Sequence, residues 1–476
     1  MGLVVAWLPG CVGYGRGDIH TDTSCAIGAL DGIDHPVTVR LWHTLVAAPK
    51  AVLDQQIAAF NASQDRVRVV GQYQGGPDEV QAKVEQAAPE GDLPALVNLN
   101  DTSAQWAADS GLFTHAQACI DADPEIAATY DGLLPIVRHS YEVRGELVPV
   151  VFQTSTGVLY YNRAHFTEAG LDPDAPPQTL VEIYEAAVAL KASRPDSKPL
   201  SFLAASWVFE WLLSGVRQPI VNNDNGRGAV ATRSTLDNPR SLEVIELLQR
   251  MQREGLVDVI PASPGQADHI LAMALQQSSM LIEGSQNAAT VAGVIEGTLG
   301  AADLRDSLGV DLPPGVENLR LDLDIGVGEL PGLEDPGRAQ VGGSVWYLPA
   351  TSDRVTQAAA WEFVRYINQP DNQALWATRA SITPPFAAVA AEPSVRRFWA
   401  DELAGRWEAV SYRQMAEGTD PNFPGPLIGP YLETRSEIED ALDRVLLSGE
   451  DPHDSLARAD RAVDRALRLY RDDRGG

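Results

Sequence analysis

The sequence has few cysteines and few basic residues, and it has no long apolar run. Among 476 residues there are 3 Cys, and 36 Lys and Arg stand against 65 Asp and Glu, for a formal net charge of −29. This acidic excess argues against a nucleic-acid partner and against a polybasic membrane patch, because both need concentrated Lys and Arg. No apolar run approaches the roughly eighteen residues of a transmembrane helix, so none is predicted.

The sequence also lacks the short motifs of common enzyme classes. It contains no H-E-x-x-H, G-x-S-x-G, P-loop or G-x-G-x-x-G pattern, so we predict that the protein is not an enzyme and has no cofactor. Two other classes stay open: a secreted hydrolase with Asp101 and Glu210 as paired carboxylates, and a structural cell-wall protein that binds no small molecule. Residues 221–228 imitate part of a calcium loop without its later Glu, so no metal is predicted.

The N-terminal segment is apolar and ends in a cysteine. It is shorter than a signal peptide and lacks the basic residues of one, so we expect the true translation start to lie upstream. Leu8 to Cys11 read LPGC, which is similar to the lipobox at which bacteria attach lipid to cysteine. We therefore expect Cys11 to anchor the protein at the extracellular face of the cytoplasmic membrane. The alternative is a free cysteine in a disordered tail.

Two cysteines remain once Cys11 is assigned to lipid. Cys25 and Cys119 then form an even pair in an oxidising compartment, which makes them a possible disulfide. Two buried thiols are the alternative.

Strands and helices alternate along the first hundred residues, which predicts a parallel α/β sheet. Ligands bind at the carboxyl ends of the strands in such sheets. Polar and aromatic residues stand at three of these strand ends, and they are therefore candidate ligand contacts: Trp42, His43, Tyr73, Gln74, Asn100 and Asp101. For each of them, a place in a solvated loop is the alternative.

Residues 147–162, LVPVVFQTSTGVLYYN, form an apolar strand, a polar break from Gln153 to Thr156, and a second apolar strand. This pattern is typical of a chain that crosses between two domains sharing a cleft, where ligand pockets often lie. A β-bulge or a hairpin within one sheet is the alternative.

Two later features add candidate ligand contacts. Trp207 and Trp211 are four residues apart on one helical face, with Glu210 between them. They form either a stacking wall for a sugar ring or part of the core. Ser285 follows a short strand and begins a helix, where it either presents backbone N–H groups to a ligand or caps the helix.

The segment 147–162 resembles the PFN-x-S-x-P-x-L-YYN segment of the extracellular solute-binding proteins that serve ABC importers for sugars and glycerol phosphate. Val151, Gln153 and Gly157 stand where the family has Pro, Asn and Pro, and the resemblance extends from Val37 to Tyr470. It implies an α/β, two-lobed periplasmic-binding-protein fold (type II-like), with each sheet flanked by helices and a ligand cleft at the hinge. It also implies a monomer that delivers a small-molecule ligand to the transmembrane subunits of an ABC permease.

The expected domain boundaries follow from this resemblance. Residues 1–34 would be a truncated signal, lipobox and tether. The N-terminal lobe would comprise residues 35–153, completed by about 284–350. The C-terminal lobe would comprise residues 154–283, completed by about 351–476.

Several segments are similar to the glycerol-3-phosphate-binding branch of the family, including Gly342-Gly343-Ser344 and Gly429-Pro430-Tyr431. Carried over by position, these similarities imply a cleft that includes Asp101, Thr154, Ser155, Trp207, Ser285 and Gly343. The same segments add the candidates Gln153, Ser344, Trp346 and Tyr431.

One departure from that branch concerns the ligand. The branch has a phosphate-binding Arg just before the late Gly, and Leu427 and Ile428 fill that place here. A phosphate would lose its best partner, so we expect a neutral carbohydrate or polyol. Glycerol 3-phosphate or a glycerophosphodiester, with Arg379 as a substitute cation, is the alternative.

Overall fold

The computed structural model describes residues 24–262, 268–298, 323–337, 340–418, 420 and 423–474. Its strands are β1 (Val37–His43), β2 (Val67–Tyr73), β3 (Leu96–Asn100), β4 (Phe113–Thr114), β5 (Glu142–Val143), β6 (Glu146–Leu147), β7 (Val150–Ser155), β8 (Gly157–Asn162), β9 (Leu200–Ala204), β10 (Val257–Pro261), β11 (Met280–Gly284), β12 (Ile325–Glu329) and β13 (Gly342–Pro349).

The α-helices span Ala47–Ser63, Pro77–Ala87, Ala104–Ser110, Ala116–Ala122, Pro124–Tyr130, Pro135–Tyr141, Arg163–Glu168, Leu180–Ser193, Ser206–Gly215, Asn222–Asn225, Pro239–Arg253, Asp268–Ala274, Ala288–Glu296, Arg354–Ile367, Pro370–Ala380, Ala387–Ala390, Pro393–Asp401, Leu403–Arg413, Tyr431–Leu442 and Pro452–Asp473. None of these helices is long and apolar enough to cross a bilayer.

The first sheet, with its helices, forms what we call the N lobe. Its strand order is β2-β1-β3-β13-β4, and β7 pairs with β13. β1 runs parallel to both β2 and β3, which confirms the parallel pairing predicted for these three strands. The carboxyl ends of β1 and β3 therefore meet at one edge, which faces the second sheet. β13 is antiparallel to β3, β4 and β7, so the whole sheet is mixed.

The second sheet forms the C lobe, in the order β10-β9-β11-β8-β12. β8 lies between β11 and β12 and is antiparallel to both. Every residue of β8 is buried, because strands cover both its edges and helices cover the sheet. The two sheets with their flanking helices confirm the α/β two-lobed fold.

The chain first passes from one lobe to the other at Thr156. β7 ends at Ser155 in the N-lobe sheet, and β8 begins at Gly157 in the C-lobe sheet. The crossing predicted in this segment is confirmed, but the break is shorter than the four polar residues expected. Gln153 to Ser155 remain in the strand because β13 pairs with their backbone.

The structure distributes the later segments between the lobes differently from the expected boundaries. Among the described residues of 284–350, β12 joins the C-lobe sheet and β13 joins the N-lobe sheet. Within residues 351–476, helices Arg354–Ile367 and Pro370–Ala380 contribute to the N-lobe core. The reason is that the chain returns to the N lobe at β13, whereas its last two helices, Tyr431–Leu442 and Pro452–Asp473, pack in the C-lobe core.

Cys25 and Cys119 are joined by a disulfide, with an S–S distance of 1.94 Å and a sequence separation of 94. The bond ties the segment before β1 to helix Ala116–Ala122. Cys11 and the predicted lipobox lie outside the described residues.

Glu408 is a fully buried carboxyl group on helix Leu403–Arg413. Neither of its carboxyl oxygens has a hydrogen-bond partner among the described residues. Burial raises the pKa of Glu408 from 4.5 to about 8, and nearby Thr383 opposes this shift only in part. At neutral pH the folded protein therefore holds Glu408 mainly as the uncharged acid.

We predict that the free energy of unfolding of Glu408→Gln, relative to that of wild type, increases as the pH rises. The raised pKa means that the contribution of protonated Glu408 to stability is complete below pH 4.5. It is lost as the pH rises towards about 8, at up to about 1.4 kcal/mol per pH unit. Urea unfolding across this pH range should therefore show a widening gap between Glu408→Gln and wild type. Glu402→Gln, an exposed change beside the same helix, is the control, and parallel curves for wild type and Glu408→Gln would contradict the prediction.

Candidate functional site

The two lobes enclose a cavity of about 320 Å³, which we call the interlobe cleft. The N lobe contributes the residues that follow β1 and β3 together with the ends of β7 and β13, and the C lobe contributes helices Ser206–Gly215 and Tyr431–Leu442. The lining residues are Thr44, Leu45, Val46, Pro49, Asn100, Asp101, Gln153, Ser155, Trp207, Trp211, Gln286, Gln340, Gly342, Gly343, Ser344 and Arg435.

Strands β7 and β13 build a polar wall on the N-lobe side of the cleft. Ser344 pairs with Gln153 across the two strands, and its hydroxyl donates to the Gln153 side-chain oxygen at 2.5 Å. Gly343 has φ +123°, and a Cβ there would lie 2.5 Å from the Gln153 carbonyl oxygen. Only glycine fits this close approach of two strands, so backbone and small polar groups face the cleft here.

Two tryptophans form the aromatic wall on the C-lobe side. The rings of Trp207 and Trp211 meet edge to face, with centroids 4.7 Å apart and planes at 71°. Trp211 is 5 % exposed and packs in the C-lobe core. A Cβ at Gly157 would lie only 2.5 Å from the Trp211 ring. Trp211 therefore supports Trp207, whose partly buried ring is the more accessible surface.

An ion pair lies beside the tryptophans. The Arg435 Nε and Nη2 atoms donate to the two carboxylate oxygens of Glu210, each at 3.0 Å. The Glu210 Oε2 atom also accepts from the Gln340 amide at 3.1 Å and from the Tyr431 hydroxyl at 3.2 Å. Burial acts to lower the pKa of Arg435, but the carboxylates of Glu210 and Asp101 outweigh it and raise that pKa above its ordinary value.

Asp101 extends this charged group across the cleft. Its Oδ2 atom lies 4.0 Å from the Arg435 Nη2 atom, and its side chain is 16 % exposed. Burial raises the pKa of Asp101 to about 6; Arg435 lowers it, and the negative charge of Glu210 adds to the rise. At neutral pH Asp101 is mainly a carboxylate, which accepts hydrogen bonds from ligand hydroxyl groups.

The structure brings eight of the predicted contact residues to the cleft: Asn100, Asp101, Gln153, Ser155, Trp207, Trp211, Gly343 and Ser344. Two further candidates, Glu210 and Tyr431, lie behind Arg435 and do not line the cleft. With Arg435 between Glu210 and Asp101, these two acids are not arranged as the open carboxylate pair of a glycosidase.

The candidates at the ends of β1 and β2 lie away from the cleft. The Trp42 indole donates to the Gln72 side chain at 3.1 Å, on the surface of the sheet. His43 is buried, with its ring beside that of Tyr73, a residue that is 52 % exposed. The Gln74 backbone carbonyl accepts from the Lys83 side chain. Tyr73 and Gln74 are at the end of β2, an edge strand that β1 and β3 separate from β13. Trp42 and His43 belong to β1 itself, and only the residues after this strand, from Thr44 onwards, line the cleft.

Three other candidates have structural roles. Trp346 is fully buried, with its ring 5.0 Å from that of Phe152. The Thr154 hydroxyl donates to the Thr383 carbonyl at 2.5 Å, and the Ser285 hydroxyl accepts from the Thr156 backbone N–H at 3.2 Å. Thr154 and Ser285 therefore hold the crossing between the lobes and do not line the cleft.

Several lining residues were not among the candidates predicted from the sequence, and Arg435 is the most consequential of them. It lies four residues after Tyr431, one helical turn away, and that spacing was an available signal. Arg379, the expected substitute cation, instead donates to Gln55 on the exterior of the N lobe. The other missed residues are Thr44, Leu45, Val46, Pro49, Gln286, Gln340 and Gly342. Among the described residues, no cluster of His, Cys, Asp or Glu is arranged to hold a metal ion.

Residues 55–404 match the family model of the bacterial extracellular solute-binding proteins, and the chain belongs to that family. It is similar to the sn-glycerol-3-phosphate-binding periplasmic proteins UgpB of Rhizobium meliloti (strain 1021) and Escherichia coli (strain K12). Each is 23 % identical, over 461 and 459 residues, with 94 % and 95 % of this chain and 97 % of each relative covered.

Two solved structures share the fold. The GacH receptor of Streptomyces glaucescens GLA.O, solved unliganded and with acarbose, has a TM-score of 0.71 at 20 % identity over 91 % of this chain and 99 % of that one. UgpB from Mycobacterium tuberculosis in complex with glycerophosphocholine has a TM-score of 0.69 at 18 % identity, with the same coverage. The protein is thus the extracellular solute-binding component of an ABC importer and not an enzyme.

We predict that Trp207→Ala weakens ligand binding by roughly tenfold or more, because it removes a flat apolar surface from the cleft. The melting temperature should fall little, since Trp211 still fills the core. Isothermal titration with the ligand found by the screen described below would measure the effect. Tyr73→Ala, which changes an exposed aromatic residue outside the cleft, should leave affinity unchanged. A large drop in melting temperature with unaltered affinity would show that Trp207 is a core residue.

Proposed function

We propose that the interlobe cleft binds a small neutral carbohydrate or polyol, which the protein delivers to its permease. The observation that carries this proposal is the division of the cleft into an aromatic wall at Trp207 and a polar wall opposite. Sugar rings present C–H faces that pack on an indole. Their hydroxyl groups bond to amides and carboxylates such as Gln153, Asn100 and Asp101.

The charges at the cleft support a neutral ligand. Of the described lining residues, Arg435 is the one that carries a positive charge, and Glu210 already holds two of its nitrogen atoms. Asp101 adds a carboxylate within 4.0 Å of Arg435. A neutral polyol can bond to all of these groups without disturbing the pair.

A glycerophosphodiester or glycerol 3-phosphate is the second candidate. Arg435 at the cleft favours it, because a guanidinium group binds phosphate in a two-pronged geometry. The names of the relatives from Rhizobium meliloti and Mycobacterium tuberculosis favour it as well.

A thermal-shift screen would decide between the two candidates. The probes are neutral sugars and polyols, glycerol 3-phosphate, and glycerophosphocholine. A ligand that binds only the folded protein raises the melting temperature, by an amount that corresponds to about 2.7 kcal/mol at one hundred times the Kd. We expect a shift with a neutral probe. A shift with the phosphorylated glycerol compounds alone would contradict the proposed ligand class. The Trp207→Ala variant serves as the control for binding in the cleft.

We further propose that the protein acts as a monomer anchored by lipid on Cys11. The two lobes of a single chain complete the cleft, which supports a monomer, and the LPGC sequence supports the anchor.

The anchor is testable in bacteria that express the protein from its native gene. We expect metabolic labelling with palmitate, because lipid attached to the cysteine sulfur is the anchor. Cys11→Ser should abolish the label, and Cys25→Ser should retain it. An unlabelled wild-type protein would contradict the anchor.

A further inference from the structure

One side of the Arg435 guanidinium contacts Glu210, and the side chain also lines the interlobe cleft. Glu210 takes the Nε and Nη2 atoms of Arg435 in a two-pronged contact, at 3.0 Å each. The Arg435 Nη1 atom has no hydrogen bond with any described residue, and the side chain lines the cleft. Arg435 therefore keeps N–H groups for a ligand hydroxyl, but its two-pronged face is already occupied.

Glu210 is fixed in this position. Its side chain is fully buried, with a relative exposure of 0 %, and Gln340 and Tyr431 both donate to the oxygen that Arg435 Nη2 also contacts. A phosphate that bound the Nε and Nη2 atoms of Arg435 would displace the Glu210 carboxylate and leave it buried without its cation. Removing one partner from a buried ion pair is strongly unfavourable, because the other charge stays buried without compensation.

The charges around Arg435 also disfavour the binding of a phosphate. The groups that face its guanidinium are the carboxylates of Glu210 and Asp101 and the ring of Tyr431, at 5.1 Å. With both acids ionised, this group of side chains carries a net charge of about −1. A dianion that enters the cleft is thus repelled, whereas a neutral ligand is not.

We propose that Glu210 is a specificity-determining positioning residue: by occupying Arg435, it makes the cleft reject phosphate dianions and accept neutral polyols. The inference rests on the proposed function, and it assigns the choice between neutral and phosphorylated ligands to a side chain that does not line the cleft. Glu210 acts through Arg435 and touches no ligand itself.

The test compares glycerol with glycerol 3-phosphate, two probes that differ only in the phosphate. Wild type should bind glycerol 3-phosphate no more tightly than glycerol at matched ionic strength. Glu210→Gln keeps the shape and one accepting oxygen, but it removes the charge and turns an N–H group towards the guanidinium. We expect it to bind glycerol 3-phosphate roughly tenfold or more tighter than wild type, and glycerol within about threefold. The gain should shrink as salt is raised.

Two further variants separate this role from a structural one. Glu210→Gln/Arg435→Gln should lose the gain, because the cation that binds the phosphate is gone. Glu433→Gln removes an exposed acid on the same helix and should behave as wild type. A folded Glu210→Gln protein without any gain for glycerol 3-phosphate would overturn the inference. If that variant does not fold, wild type decides: a clear preference for glycerol 3-phosphate over glycerol overturns the inference, and the reverse preference supports it.

These outcomes are distinct from failure of the proposed function. A wild-type protein that binds no neutral probe, together with a Glu210→Gln protein that gains glycerol 3-phosphate, refutes the proposed ligand class and supports the role of Glu210. A wild-type protein that binds a neutral sugar, with no gain in the variant, does the opposite.

Discussion

The whole arrangement depends on one extended segment that belongs to two sheets. Only Thr156 separates β7, which belongs to the N-lobe sheet, from β8, which belongs to the C-lobe sheet. The two sheets are therefore joined by one almost continuous strand. Hydrogen bonds hold this crossing in place: the Thr154 hydroxyl donates to the Thr383 backbone carbonyl, and the Ser285 hydroxyl accepts from the Thr156 backbone N–H. The polar groups of the crossing are satisfied within the protein, because the Thr156 hydroxyl also accepts from the Gln414 amide, so the chain passes between the two sheets without leaving these buried groups unpaired.

Much of the fold was predictable because its signals are local. Alternation of apolar residues located β1, and the apolar–polar–apolar pattern around Thr156 located the crossing. The lobe that a later strand joins is not a local property. β12 and β13 are both short strands with apolar residues, yet β12 pairs with β8 and β13 pairs with β3 and β7. That choice depends on partners more than a hundred residues away.

The cleft was predictable where its residues lie next to strand ends and was missed where they depend on distant partners. Asn100 and Asp101 follow β3 directly, and both line the cleft. Arg435 and Glu210 are 225 residues apart in the sequence, and nothing near either residue shows that they meet. The absence of an Arg before Gly429 was visible in the sequence, but the sequence did not show that another guanidinium, that of Arg435, lies in the cleft with its charge compensated by Glu210.

The disulfide has a practical consequence for following closure of the lobes. Cys25 and Cys119 are bonded to each other, and with 3 Cys in the chain only Cys11 remains. Val46 lies at the rim of the cleft and is 42 % exposed. In a Cys11→Ser background, a cysteine placed at Val46 would be the single reactive thiol. An environment-sensitive fluorophore attached there would turn the protein into an optical sensor for its own ligand.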